Sequence, residues 1–320
     1  MATQTTINTA APKTYLNKTY YDKRLLEFAK TKFVFAKFGQ KRPIPEHSGK
    51  KVEFRRFDTF DPNLVIGGLT EGVTPESQSL AQGYVEAEVK GYGAWVEVSD
   101  VLKRTSYDEV MKNSSQLLGE QLGTAADWVT RDVLNSGTNV QFVNGKTARD
   151  ALTAADVLTV DEIRKAVRTL KSNKARMFTG SGRRPHYICI VGPFATYDLQ
   201  TDPLWQDVSK YSNAEQIYNG ELGRLFGVVF VESTEAKVFE GAGAGSADVH
   251  TSIIFGENAY GVVDIGGSTG AIQTYINDLG SAGTADPLHQ RASVGAKIEA
   301  YAAVILNDSW IVRIEHGVTA

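Results

Sequence analysis

Two polar, alternating segments enclose a long glycine-studded loop, and a single long helical pattern follows them. In residues 50–60, Lys51, Glu53 and Arg55 alternate with Val52, Phe54, Arg56 and Phe57; in residues 84–98, Val85, Ala87 and Val89 alternate with Glu86, Glu88 and Lys90. Period-two alternation predicts strands. The intervening residues 61–83, DPNLVIGGLTEGVTPESQSLAQG, hold glycines, prolines and hydroxyls but too few apolar side chains for a core of their own. A two-stranded ribbon is marginal alone, so Leu64, Val65, Ile66 and Leu69, with Glu71 beside them, need another surface. A second copy of the chain is the expected surface.

Residues 1–19 are polar and aperiodic and read as a flexible arm. Leu25, Phe28, Ala29, Lys32, Phe33, Phe35 and Phe38 predict an amphipathic helix over residues 20–38, stopped by Gly39 and Pro43. Ser106 and Glu109 form a capping box for a helix over residues 107–136, with Leu118, Leu122, Ala125, Val129 and Val133 on one face and Gly137 at its stop. Such an element is about 45 Å long. A second capping box, Thr159 to Glu162, opens a helix that carries Ile163, Ala166, Val167 and Leu170. Strands are predicted at 187–191, 228–232, 252–255, 261–265 and 271–276, with helices from Pro193 and over 212–215. Residues 241–246, GAGAGS, read as a loop tip, and residues 296–303 and 310–315 as a closing hairpin turned at Asn307 and Asp308.

At 320 residues the chain exceeds the usual size of a single core, which predicts two lobes. Hydrophobic residues make up 42%, enough for real cores, and no apolar run spans a bilayer or resembles a secretory leader. A lone cysteine, Cys189, inside an apolar run excludes an intrachain disulfide and fits synthesis in a reducing cytoplasm. Charge is uneven: residues 1–60 hold 13 Lys/Arg against 5 Asp/Glu, a net of +8, so the other 260 carry −11 of the total −3. Lys23, Arg24, Lys30, Lys32, Lys37, Lys41 and Arg42 form a basic arm suited to an acidic neighbouring subunit or to a polyanion, the plain alternative being a solvated basic face.

Motifs that carry chemistry fail on context. Gly145-Lys146-Thr147 resembles the end of a phosphate loop, but Val140 stands where a glycine is required. In GAGAGS, Ser246 replaces the third glycine of a dinucleotide fingerprint. Residues 266–270 match G-x-S-x-G around Ser268, and Asp286 and His289 follow in the order an α/β hydrolase uses, yet a strand follows the serine instead of a helix. His47, His186, His250, His289 and His316 lack ligand spacing, so neither a metal nor a cofactor is expected. Cys189 reads as a small buried hydrophobe, and Trp95, Trp128, Trp205 and Trp310 as packing residues.

This order of parts resembles the tailed-bacteriophage major capsid protein, whose fold is shared with herpesvirus capsid floors and encapsulin shells. PNLVIGGLTEGVTPES (62–77), VGPFATYDLQTDPLWQD (191–207), FGENAYGVVDI (255–265) and DPLHQRASVGAKIEAYAAVILN (286–307) look like capsid proteins of the podovirus-related branch. The resemblance implies an α+β fold. Its parts would be an arm and helix (1–45), an extended loop that overlaps a neighbour (46–100), a peripheral domain with a spine helix (101–154), an axial domain (155–285) and a return to the peripheral domain (286–320).

The implied function is non-enzymatic: an icosahedral shell of hexameric and pentameric capsomers around double-stranded DNA, assembled in the host cytoplasm. Implied partners are other copies, a portal, packaged DNA, an optional decoration protein, and a separate scaffolding protein, since about 19 residues before the first helix leave no room for a built-in one. Glycine hinges would let one sequence fit both ring sizes. An encapsulin-like compartment, binding cargo protein, and a hydrolase using Ser268 are the alternatives.

Overall fold

The computed structural model describes residues 33–44, 49–57, 60, 63–66, 68, 72, 74, 77–80, 82–106, 110–179, 184–206, 221–265, 272–282 and 286–319. In chain order these form β1 (Gln40–Ile44), β2 (Lys51–Phe57), the single turn α1 (Asn63–Ile66), β3 (Gln82–Glu88), β4 (Lys90–Ser99), α2 (Asp100–Thr105) and α3 (Val110–Leu134). There follow β5 (Val140–Phe142), α4 (Val160–Ser172), β6 (Tyr187–Val191), α5 (Pro193–Thr201), β7 (Glu221–Leu225), β8 (Val228–Glu232) and β9 (Val238–Phe239). The chain continues through β10 (Val249–Phe255), β11 (Tyr260–Ile265), β12 (Ile272–Asn277), β13 (Arg291–Ile305) and β14 (Ile311–His316).

A seven-stranded sheet runs β5-β14-β10-β6-β8-β7, with β9 also on β10. Its β6, YICIV, is apolar throughout because both faces are covered. Tyr187, Cys189 and Val191 point to a core shared with Ile163, Ala166, Val167 and Leu170 of α4 and with Ala195 and Leu199 of α5. Ile188 and Ile190 point the other way, to a core that holds Leu118, Leu122 and Ala126 of α3. Helix α3 therefore lies on one face of this sheet and α4 with α5 on the other. Each fully buried Ile or Leu contributes about 1.5–3 kcal/mol.

The second sheet has five strands, β1-β11-β13-β12 with β4 added on β13. Its 15-residue β13 pairs with β4 and β12 along its first part and with β11 along its last. The inner face, with Val294, Ala296, Ile298 and Tyr301, packs under α3. Strands β10 and β11 are consecutive yet belong to different sheets.

Several expectations hold and several need correction. Strand β6, the α4 stripe and the strands ending at Glu232, Phe255 and Ile265 stand where the patterns put them. The closing hairpin does not form: β13 belongs to the five-stranded sheet, whereas β14 lies between β5 and β10. Of the helix predicted over 20–38, only residues 33–38 are described, and Phe35–Lys37 is a 3₁₀ turn. Four strands, β1, β5, β7 and β9, were not anticipated; β1 and β5 are short and pair in parallel, β1 with β11 and β5 with β14, whereas β7 and β9 pair antiparallel with β8 and β10.

Helix caps differ as well. Ser106 ends α2, residues 107–109 lie outside the described residues, and the capping side chain is Ser99, which accepts from the Leu102 amide at 3.2 Å. Thr159 makes no side-chain cap; Asp202 accepts the Val160 amide at 3.0 Å instead, and Glu162 turns to Gln141 and Lys165, each at 2.7 Å. The α3 stripe is also rotated by about one position: it buries Leu118, Leu122, Ala126, Asp127, Thr130 and Leu134. The segment predicted at 212–215 lies outside the described residues.

Candidate assembly surface

The ribbon of β2 and β3 is antiparallel, registered from Lys51 opposite Glu88 to Phe57 opposite Gln82. Its root is apolar: Phe54 and Ala87 are buried with Val263 and Ala302 of the five-stranded sheet. Away from that root the ribbon is solvated, with Lys51 reaching Glu86 at 2.8 Å. Beyond the strands, Val65 and Ile66 on the single turn α1 are 68% and 76% exposed. Phe60, Leu80 and Tyr84 are exposed too. Five large apolar side chains in water on an element without its own core are the mark of a contact surface. Of the other residues expected here, the side chain of Leu64 and all of Leu69 and Glu71 lie outside the described residues.

The arm is held by a carboxylate that sequence reasoning missed. Asp127, buried on α3, accepts the backbone amides of Val34 at 3.1 Å and Ala36 at 3.0 Å. Burial pushes its pKa up to about 6, against the opposing pull of those amides. Tyr260 donates to the Phe35 carbonyl, and the hydroxyls of Thr130 and Tyr301 meet at 2.7 Å, so the polar stripe inside α3 is bonded to the arm and to β13. A lone Asp in a helical apolar stripe is the signal that could have found it. Among the basic residues, the Lys37 ammonium lies 5.5 Å from the Phe38 ring centroid, and Lys41 and Arg42 sit on β1. Arg42 donates to the Glu53 carbonyl at 3.2 Å, tying β1 to the ribbon. Lys23, Arg24, Lys30 and Lys32 lie outside the described residues.

A second exposed patch lies on the outer face of the five-stranded sheet. Trp95 of β4 and Tyr275 of β12 both register with Gly295 of β13, so two exposed aromatics flank a glycine. A Cβ on Gly295 would stand 3.4 Å from that of Trp95, which leaves a flat row.

The chemical motifs do not assemble. Residues 266–270, with Ser268, lie outside the described residues. Asp286 is committed to a turn: it accepts the Arg291 amide at 2.8 Å, and the Gln290 amide first of all holds its carboxyl below the usual range. Lys146 follows a 3₁₀ turn that no α-helix continues. Cys189 is fully buried and its thiol is pushed up by burial. Ser252 and His316 do meet, Oγ to Nε2 at 2.9 Å, but both are fully buried and His316 Nδ1 donates to the Gly317 carbonyl at 2.7 Å. That imidazole is kept neutral by burial, its pKa lowered to about 4. Among the described residues no three His, Cys, Asp or Glu side chains could hold a metal, and no helix is long and apolar enough to cross a membrane.

Residues 81–285 match the family model described as phage capsid protein. The fold resembles the capsid of Ralstonia phage GP4, with a TM-score of 0.71 at 14% identity, over 91% of each chain. It also resembles the cyanophage Pam1 capsid, with a TM-score of 0.67 at 16% identity, covering 85% of this chain and 86% of that one. The virus-like particle from Pyrococcus furiosus matches with a TM-score of 0.51 at 13% identity, over 93% of this chain and 99% of the other. No curated protein sequence matches the chain significantly.

Proposed function

The chain belongs to the phage capsid protein family, and from that membership we propose how its exposed elements serve the shell. It is a major capsid protein of an icosahedral bacteriophage shell, a structural role, and copies of it self-assemble into capsomers. An encapsulin-like compartment is not favoured, because the matching family model is a phage capsid one. In the proposed arrangement the ribbon of β2 and β3 is the extended loop, and its tip at Val65 and Ile66 lies on a neighbouring subunit. That tip carries the reading: two apolar side chains more than two-thirds exposed, on a ribbon rooted at Phe54, cost free energy in a lone subunit that a neighbour would recover.

The basic arm then runs along neighbours or the inner wall, helix α3 is the spine of a peripheral domain, and the seven-stranded sheet belongs to the axial domain around capsomer centres. The shell encloses double-stranded DNA without reading its sequence and is assembled in the host cytoplasm on a separate scaffolding protein. A portal, and optionally a decoration protein, completes it. No catalytic step is assigned.

The purified chain, alone and with its scaffolding protein, tests this by size exclusion and negative-stain electron microscopy. Rings or closed shells are the expected result; a stable monomer or dimer under both conditions would overturn it.

A further inference from the structure

Residues 163–197 contain no Asp or Glu, yet 164–184 carry eight Lys/Arg: Arg164, Lys165, Arg168, Lys171, Lys174, Arg176, Arg183 and Arg184. In a chain of net charge −3 that is a concentrated field of one sign. The fold gives it a shape. Arg164, Arg168 and Lys171, at i, i+4 and i+7 of α4, share one exposed stripe and line a groove of about 550 Å³ with Val167, Ser172 and Phe226. Arg164 is paired with Asp161 at 3.0 Å and Lys165 with Glu162 at 2.7 Å, whereas Arg168 and Lys171 carry no ion pair among the described residues.

Phe226 is the second observation. It sits in the β7–β8 turn with φ of 49°, the left-handed region, where Asn or Gly is normal and a bulky ring is strained. It is 47% exposed, and the Arg164 guanidinium stands 5.1 Å from its ring centroid. A turn that accepts strain to hold an aromatic against a cation orients that cation. The ring and Asp161, which accepts from Arg164 Nη1 at 3.0 Å, together fix where this guanidinium stands.

We propose that this groove binds the phosphodiester backbone of duplex DNA on the inner side of the shell, with Arg168 and Lys171 as the phosphate contacts and Arg164, held by Phe226, as the third. Along the helix axis these cations are spaced by about 6 and 4.5 Å, a reach of two or three nucleotide steps on one strand. The contact is blind to sequence, because the groove presents cations and an apolar wall with no set of side chains for base edges. This inference rests on the reading that the shell encloses duplex DNA. It also separates two basic regions: α4 and the arm docked on α3 lie on opposite faces of the seven-stranded sheet, so the DNA-facing wall is on the α4 side.

The test uses the full-length chain kept unassembled, titrated with a short labelled DNA duplex between about 50 and 200 mM salt. The variants are Arg168→Glu with Lys171→Glu, Phe226→Asn, and Lys37→Glu with Lys41→Glu in the arm. The substituted side chains on α4 are exposed, and unchanged melting of each variant establishes its fold. Reversing Arg168 and Lys171 should lower the slope of log K against log salt by about 1.8, since each phosphate contact supplies about 0.9, and weaken binding at low salt at least about tenfold. Phe226→Asn keeps the turn and should weaken binding about two- to fivefold with the slope unchanged, as loss of an uncharged orienting ring requires. The arm variant should bind as the wild type does.

An unchanged slope and affinity in the Arg168/Lys171 variant would overturn the site. So would loss of binding in the arm variant alone, or wild-type binding of polyglutamate as tight as that of duplex. Wild-type chain that binds no duplex but forms shells with its scaffolding protein would overturn the site and leave the shell function standing. Failure to form shells at all would instead overturn the function on which the site rests.

Discussion

The ring of Phe54 occupies the space above Gly261: a Cβ built on that glycine would stand 2.7 Å from two ring carbons. The root of the ribbon is thus seated in a notch of β11 that only glycine leaves open. Gly261→Ala should displace the ring and cost about 1–3 kcal/mol. Hydrogen exchange should rise in β2 and β3 while β6 and β10 stay protected; uniform protection in the variant would refute the seating.

Val65 and Ile66 should matter to the shell and not to the subunit. Replacing both with serine removes exposed apolar surface, so subunit melting should change by less than about 0.5 kcal/mol. Shell yield with scaffolding protein should fall severely, as read by electron microscopy. Normal shells from this variant would remove the tip from the interface.

Two buried groups give opposite pH responses. The folded pKa of Asp127, about 6, lies above its unfolded value of about 3.9, so the subunit gains stability from it as pH falls from 7 toward 4. The folded pKa of His316, about 4, lies below its unfolded value of about 6.5, so the stability it contributes is full above 6.5 and is lost as pH falls to 4. Each amounts to roughly 3 kcal/mol over the window. Denaturant unfolding between pH 7 and 4 should therefore show Asp127→Asn losing more stability on acidification than the wild type and His316→Gln losing less. Parallel curves for all three would disprove the assignment.

Glu315, fully buried in β14, takes two hydrogen bonds from Arg149, at 2.7 and 2.6 Å, and lies 2.9 Å from the Arg313 guanidinium. Arg149 also stacks at 3.5 Å on the Phe239 ring. Arg149→Met would leave a buried carboxylate short of a partner and should cost about 3 kcal/mol. Combining it with Glu315→Leu should recover part of that loss. A double variant as unstable as the sum of its parts would show that the pair is not coupled.

The cap of α4 separates local from tertiary control. Asp202→Ala should cost about 1 kcal/mol, the usual worth of an N-cap, whereas Thr159→Ala should cost less than about half of that. Equal losses on thermal unfolding would return the cap to Thr159.

Patterns written within one element were legible in the sequence, and relations between distant elements were not. Strand β6 and the α4 stripe declare themselves because each residue's burial follows its own period. The rotation of the α3 stripe did not, because Asp127 and Thr130 are polar by type and become core only when Ala36 and Tyr301, 91 and 171 residues away, supply their partners. Asp202 replaces Thr159 for the same reason, at 42 residues' distance. Strand β1, QKRPI, has the composition of an exposed edge and draws its order from β11. The false hairpin of β13 and β14 came from adjacency in sequence. The burial of all six β14 residues, Arg313, Glu315 and His316 included, reflects a position inside a different sheet. The ribbon and its apolar tip were legible because alternation, glycine content and exposed side chains all lie within one stretch.

Strands β13 and β14 are made after every strand they pair with, and they occupy interior positions of the two larger sheets. On the ribosome, β4 and β12 wait for β13 and β5 waits for β14, while β11 and β10, already paired with β1 and β6, each keep one edge open until then. Neither sheet can close on an interrupted polypeptide. Copies of the chain self-assemble into capsomers, and a copy with an open sheet is a faulty tile. This strand order ties the closing of both larger sheets to translation through His316, so their interior is the part of the fold completed last.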